Sequence, residues 1–274
     1  MQPDHIHPVI LAGGPGFRLK PWSRPTCPKP FLEIGGASLL QATLARLKGF
    51  APLILCQQDH LTLARAQATA ITTDVHFLCE PVMRNTAPAI AAATAYLLTQ
   101  KGPDDLMLVM PSDHAINRPD ILMNAVRKWM QMAPGMIVAF GIKPRGPSVR
   151  FGYMLADQQR VRFVEKPDRA AAKALIKQGA YWHSGIFMAR IGTMRDLLRD
   201  LVPDIWEAAE RAVIYARHEG DASFLEARYF APAPSYAIDR AVLEKAPLIT
   251  MVPLNLRWRD LGTWPAMIAH LLRL

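Results

Sequence analysis

Short apolar runs that stop abruptly at glycine or polar residues recur along the first half of the chain. His7-Pro-Val-Ile-Leu-Ala runs into Gly13-Gly-Pro-Gly, Val75 to Leu78 into Glu80-Pro81, and Leu106 to Met110 into Pro111-Ser-Asp-His. Continuous apolar runs of this length read as strands buried on both faces. Between them lie segments with apolar residues at helical spacing. These are Ser38 to Leu47 with Ser38 as N-cap, Leu61 to Ala70, and the alanine-rich stretch Thr86 to Leu98. Pro88 falls in the first turn of the last, where its missing N–H does no harm. Pro52 to Cys56, Met136 to Phe140, Val161 to Val164 and Ile249 to Leu254 are further strand candidates.

Strands alternating with helices predict an α/β fold around a mostly parallel, doubly wound sheet. The second half is richer in strand and turn signals, so a mixed-sheet region over a substrate is expected there. No internal repeat, low-complexity tract or linker divides the chain, and one domain over residues 1–274 is expected. In open α/β sheets ligands sit beyond the carboxyl ends of the strands. That rule gathers the glycine segment, Asp113 and Glu165-Lys166 near one crevice, with a turn expected at Ile116.

Composition narrows the chemistry. Hydrophobic residues make up 51% of the 274, ample for a buried core. The longest apolar stretch, Ala87 to Leu98, falls short of the roughly 20 residues a bilayer span needs. Met1 to His7 lacks the positive-then-apolar order of a signal peptide, so a cytoplasmic protein is expected. The three cysteines, Cys27, Cys56 and Cys79, stand singly, without zinc or disulfide spacing, and read as reduced thiols. A formal charge of +9 suits anionic ligands. Because the basic residues form no tract, small phosphorylated substrates fit better than nucleic acid or a membrane.

Leu11-Ala12-Gly13-Gly14-Pro15-Gly16-Phe17-Arg18-Leu19, with Lys29 downstream, carries candidate chemistry. Its glycines let backbone N–H groups approach phosphates, and Arg18 and Lys29 add cationic donors. It is neither a Walker A loop nor a complete dinucleotide fingerprint, because the Gly-Lys-Ser/Thr run and a third spaced glycine are missing. Alone, it is as consistent with a solvated glycine turn. Asp113 and Asp260 are carboxylates of the kind magnesium prefers, and each also reads as a cap or turn aspartate. Asp113-His114 lacks a second His or Cys at zinc spacing, so His114 is expected to be structural and bonded to backbone.

The loop, together with Pro28-Lys29-Pro30-Phe31, resembles the signature of the sugar-1-phosphate nucleotidyltransferases. Glu80-Pro81, Arg84-Asn85-Thr86-Ala87-Pro88-Ala89 and Pro111-Ser112-Asp113-His114 sharpen the likeness toward mannose-1-phosphate guanylyltransferases. So do Phe163-Val164-Glu165-Lys166-Pro167, Tyr181-Trp182-His183-Ser184-Gly185 and Trp258-Arg259-Asp260-Leu261-Gly262-Thr263-Trp264, in family order over nearly the whole chain. The resemblance implies a Rossmann-like domain, an essential Mg²⁺, and often a homodimer. It places Leu11, Ala12, Gly13, Gly14 and Gly16 at the nucleotide, and Arg18 and Lys29 at the triphosphate. Asp113 and Asp260 become the metal ligands, and Lys166 grips the sugar phosphate. Glu165, His183 and Asp239 fall at the sugar, while Arg84, Asn85 and Thr86 lie against guanine, with Glu80 beside them as an acceptor.

Three departures stand out. The family usually has hydroxyl residues at Pro15 and Phe17, and asparagine at His183. With Leu274 as the last residue of the sequence, no C-terminal β-helix or isomerase domain of the longer members is expected. The expected reaction joins GTP and mannose 1-phosphate to give GDP-mannose and pyrophosphate. The alternatives are another hexose 1-phosphate, raised by His183, or a weakly catalytic nucleotide-sugar sensor or regulatory subunit, raised by Pro15, Phe17 and His183.

Overall fold

The computed structural model describes residues 5–14, 16–157 and 160–272. Its elements in chain order begin with β1 (Ile6–Leu11), β2 (Glu33–Ile34), β3 (Ala37–Ser38), α1 (Leu39–Leu44), β4 (Leu53–Gln57), α2 (Leu61–Thr69), β5 (His76–Glu80) and α3 (Thr86–Gln100). Then come β6 (Leu106–Pro111), β7 (His114–Ile116), α4 (Pro119–Lys128), β8 (Ile137–Ile142), β9 (Tyr153–Asp157), β10 (Arg160–Val164), α5 (Arg169–Lys177) and β11 (Tyr181–Arg190). The rest are α6 (Ile191–Leu201), α7 (Pro203–Ile214), β12 (Arg217–Glu219), β13 (Ala222–Phe224), α8 (Ala227–Phe230), β14 (Ile249–Leu254), β15 (Trp258–Asp260) and α9 (Trp264–Leu271).

At the centre β5, β4, β1 and β6 lie side by side and parallel, the order that opens a doubly wound sheet. Alternation along these strands fixes the two layers. Met107 and Val109 of β6 face a core built with α3, α6 and α7, while Leu106, Leu108 and Met110 face one built with α1, α2 and α4. Both faces are covered, so the runs are apolar throughout, as the sequence pattern predicts.

Beyond β6 the sheet turns mixed. Strand β11 runs antiparallel to β6 through its second half and to β9 through its first, and pairs β8 along its other edge. The register breaks between His183 and Phe187, where Gly185 sits at φ +75°. A Cβ there would lie 3.0 Å from Pro111, so the bulge needs glycine to bring β11 against the end of β6. Strand β14 joins β8 in parallel, which completes the mixed-sheet region expected in the second half.

Ser38 caps α1 as expected. Its hydroxyl accepts from the Gln41 N–H at 3.1 Å while the Gln41 side chain accepts from the Ser38 N–H at 2.9 Å. Two local expectations fail. Ile116 ends strand β7 instead of making a turn, and Asp260 lies on β15 instead of in a polar turn. These two short strands pair antiparallel, with Asp260 opposite His114. Among the described residues no helix is long and apolar enough to cross a membrane, and the three cysteines are free.

Candidate active site

The carboxyl ends of β1, β5 and β6 open onto a cavity of about 590 Å³. Leu11, Gly13, Gly14 and Gly16 line one side, with Arg18 and Lys29 close by, and Glu80, Arg84, Asn85, Thr86 and Asp113 complete the wall. All the residues expected at the nucleotide therefore converge except Ala12. Its side chain is buried and its N–H donates to the Leu55 carbonyl at 2.8 Å, so it supports the loop from beneath. Gly16 adopts φ +69°, and a Cβ there would collide with the Lys29 side chain. Glycine thus sets both the turn and the approach of Lys29. Pro15 lies outside the described residues. Phe17 is 65% exposed at the cavity wall.

Lys29 is 5% exposed and its ammonium donates to both Asp113 and, at 3.1 Å, Asp260. Two carboxylates from distant parts of the chain therefore share one cation position. Burial by itself raises the Asp113 carboxyl, but Lys29 and His114 outweigh it and hold the group below the usual carboxylate range. Ligand atoms of Asp113, His114 and Asp260 all lie within 4.8 Å of one another. His114 does not bond backbone through its ring, contrary to expectation. Its Nε2 is 3.6 Å from Asp113, its ring meets Trp258 edge-on at 5.0 Å, and its buried Nδ1 has no partner among the described residues. Asp260 opposite His114 across β7 and β15 is what brings the ring beside the carboxylates.

The Arg84-Asn85-Thr86 segment is held by its own side chains. Asn85, at φ 67°, caps α3 by accepting from the Thr86 N–H. Arg84 Nε donates to the Ala231 carbonyl at 2.6 Å, and Thr86 Oγ1 accepts from the Ile238 N–H at 2.8 Å. These bonds fasten the 231–238 stretch over the cavity, which is how Ser235 reaches its wall. Ser112 also lines it, its hydroxyl donating to the Leu11 carbonyl at 2.8 Å and tying β6 to β1. Local sequence signals do not single out Ser235 or Met83, since their placement depends on contacts distant in the chain, whereas Ser112 stands inside the Pro111–His114 motif beside Asp113. Glu80 is 4% exposed, and burial pushes its carboxyl up to about 8.

Glu165, Lys166, His183 and Asp239 do not line this cavity; they form a second group beyond it. Lys166, at φ 45°, pairs with Glu165 at 2.5 Å, and His183 bonds Asp239 at 3.2 Å through Nδ1. Burial and the Asp239 charge push the Glu165 carboxyl up; burial also raises Asp239, but the His183 bond and charge bring it net down. The two groups adjoin where Gly185 meets Pro111 and His114. The crevice expected from the sheet rule thus gathers the glycine segment and Asp113, while Glu165 and Lys166 lie outside its wall.

Comparison with known proteins bears on the family and the fold. Residues 7–273 match the nucleotidyl transferase family. Mannose-1-phosphate guanylyltransferase of Klebsiella pneumoniae is 40% identical over 95% of this chain and 59% of its own length. Xanthan biosynthesis protein XanB of Xanthomonas campestris is 39% identical over 96% of this chain and 59% of its own. The chain therefore spans about three fifths of the curated relatives it matches. A crystal structure described as mannose-1-phosphate geranyltransferase from Thermus thermophilus superposes with a TM-score of 0.86 and 31% identity, covering 98% of this chain and 80% of that one.

Proposed function

This chain belongs to the nucleotidyl transferase family, and from that premise we propose an enzyme that joins GTP and mannose 1-phosphate to give GDP-mannose and pyrophosphate. The observation that carries the reading is Lys29 bridging Asp113 and Asp260 at the wall of a glycine-lined cavity. The named relatives support the choice of sugar and base.

An oxygen of the sugar phosphate, already ionised at neutral pH, attacks the α-phosphorus in line. A P–O bond forms there as the bond to the β-phosphate's bridging oxygen breaks, and pyrophosphate leaves with that electron pair. No general base is needed, so positioning and charge neutralisation carry the catalysis. Asp113 and Asp260 would hold Mg²⁺. Their hard oxygens suit it, and Lys29 between them is a positive charge already held at that spot, which supports the reading. Bound there, the ion supplies neutralisation of phosphate charge. Arg18 at the cavity wall steadies the departing pyrophosphate, and Lys166 aligns the attacking phosphate. Glu80, once ionised, accepts from the guanine N1–H and exocyclic amine, while Arg84, Asn85 and Thr86 lie against the base. Glu165, His183 and Asp239 take the sugar hydroxyls.

The proposal includes a single domain over residues 1–274, assembly as a homodimer, which sedimentation tests, and a cytoplasmic setting. The central experiment measures initial rates with GTP, ATP, UTP and dTTP against a panel of hexose 1-phosphates. Preference for GTP and mannose 1-phosphate is expected; preference for UTP or dTTP overturns the choice of base. Binding of GTP with no pyrophosphate release from any pair would replace the enzyme with a nucleotide-sugar sensor, the reading that Phe17 on the cavity wall favours.

A further inference from the structure

One margin of the large sheet is β12, which among the described residues pairs only with β13. Its three residues, Arg217, His218 and Glu219, are all exposed. Hydrogen bonds one strand further in fix which way its main chain turns. The Phe77 N–H donates to the Asp221 carbonyl at 2.8 Å and the Leu225 N–H to the Cys79 carbonyl at 3.0 Å, so Asp221 and Leu225 turn their main chain toward β5. By alternation Ala222 and Phe224 turn theirs toward β12, where they lie opposite Glu219 and Arg217. The main-chain groups of Glu219 and Arg217 are thus taken up inside the hairpin. Those of His218, N–H and C=O alike, point out of the sheet.

An outward strand edge is a template for another strand. Here the side chains select which one. Arg217 and Glu219, two residues apart, stand on one face of β12 and pair with each other, and Arg217 lies over the Phe224 ring at 4.3 Å. The order Arg-His-Glu is its own complement when read backwards. Two copies running antiparallel about a twofold axis at His218 set each Arg217 opposite Glu219 of the other copy. Sliding by two residues sets Arg217 against Arg217 or Glu219 against Glu219. Sliding by one turns the outward groups of one copy onto the inward-turned groups of the other. The centred register alone satisfies both the charges and the main chain. It also brings Ile214 and Tyr215, exposed at the end of α7, beside the Gly220-Asp221 turn of the other copy.

We propose that β12 is the contact through which two copies of this chain associate, their large sheets joined edge to edge. This rests on the homodimer of the proposed function and gives it an interface; it does not depend on the reaction. Each His218 N–H donates to the His218 carbonyl of the other copy, which makes two hydrogen bonds across the axis. Four charges of alternating sign flank them, and opposite charges directly across a strand pair stabilise it where like charges destabilise. The contact is isologous, so it closes at two copies. The seam is short, at the low end of specific interfaces, and dimer and monomer stand in a concentration-dependent equilibrium.

Sedimentation velocity on the whole chain, over roughly 1 to 500 µM protein, reads that equilibrium. Three variants are compared with the unaltered chain: Arg217→Glu, the exchange Arg217→Glu with Glu219→Arg, and His218→Pro. Matched melting temperatures check that each keeps the fold. Arg217→Glu sets glutamates against each other across the seam and raises the dissociation constant at least about tenfold, less at high salt. The exchange restores opposite charges and brings the constant back. His218→Pro removes the outward N–H at an edge position that tolerates proline, and weakens association by on the order of tenfold. A chain that is monomeric throughout overturns both this contact and the homodimer. A dimer equally tight in Arg217→Glu and His218→Pro leaves the homodimer standing and overturns the contact alone. An exchange variant as weak as Arg217→Glu overturns the register, and the proposal with it.

Discussion

Replacing Glu80 with glutamine should remove a pH trend built into the cavity proposed for the nucleotide. Burial pushes this carboxyl from 4.5 up to about 8, with no other cause contributing. Below about pH 4.5 the folded and unfolded chains both hold the proton, and the group leaves stability unaffected. Between there and about 8 the unfolded chain has released it and the folded chain has not, so stability falls as pH rises; above about 8 the full cost stands. Each pH unit in that window is worth about 1.4 kcal/mol, which bounds the total at roughly 5 kcal/mol. Glutamine keeps the shape and cannot titrate. The stability of Glu80→Gln relative to the parent should therefore climb by several kcal/mol between about pH 5 and pH 9. Guanidinium denaturation at stepped pH, with slopes compared to check that the unfolding transition is the same, reads it directly. In its proposed role the same group ties affinity to pH, because a carboxylate that accepts two guanine N–H bonds must first lose its proton. GTP affinity should rise by up to about tenfold per pH unit toward 8 and then level off. A stability difference flat across pH would refute the reasoning.

Lys29→Met removes the cation from between two carboxylates, and breaking such a partly buried pair should cost roughly 3 kcal/mol, read as a lower melting temperature that Mg²⁺ raises more in the variant than in the parent. Asp113→Asn should lower turnover at least about a hundredfold while moving the melting temperature far less than Lys29→Met does, measured by pyrophosphate release beside a thermal melt. His183→Asn replaces the rigid ring that bonds Asp239 with a shorter amide of different reach, so the ratio of rates on mannose 1-phosphate and glucose 1-phosphate should change by about tenfold or more; an unchanged ratio would remove His183 from the sugar site. Ser38→Ala opens the capping box of α1 and should cost about 1 kcal/mol by chemical denaturation, with no change in nucleotide preference.

What the sequence reveals is local. β1 and its glycine loop adjoin in the chain, so an apolar run followed by glycines shows both strand and turn. Ser38 and Gln41, three residues apart, announce their cap in the same way. What stays hidden depends on partners far along the chain. Strands β7 and β15 are three residues each and pair across more than a hundred positions, too short for any periodicity to show. Ile116 and Asp260 therefore read as turns, and nothing local directs the His114 ring to the carboxylates instead of to backbone. Strand β11 shows its motif in the sequence but not its strand, because its first half serves β9 and its second half β6. The basic residues look dispersed for a like reason. Arg46, Arg145 and Arg257 are far apart in the chain, and only folding gathers their charge.

One position between Asp113 and Asp260 links the fold to the proposed chemistry. Two carboxylates this close repel unless a positive charge lies between them, and the chain supplies one in Lys29. That ammonium also lines the cavity proposed for the triphosphate, whose oxygens compete for it. Drawing Lys29 toward phosphate leaves the carboxylates to a divalent ion, and an ion on the carboxylates frees Lys29 for phosphate. Each event lowers the electrostatic cost of the other, so nucleotide and metal should bind with positive coupling, and by linkage the effect is equal in both directions. The lysine therefore keeps the acid pair paired within the fold and gives the proposed substrates a charge to displace.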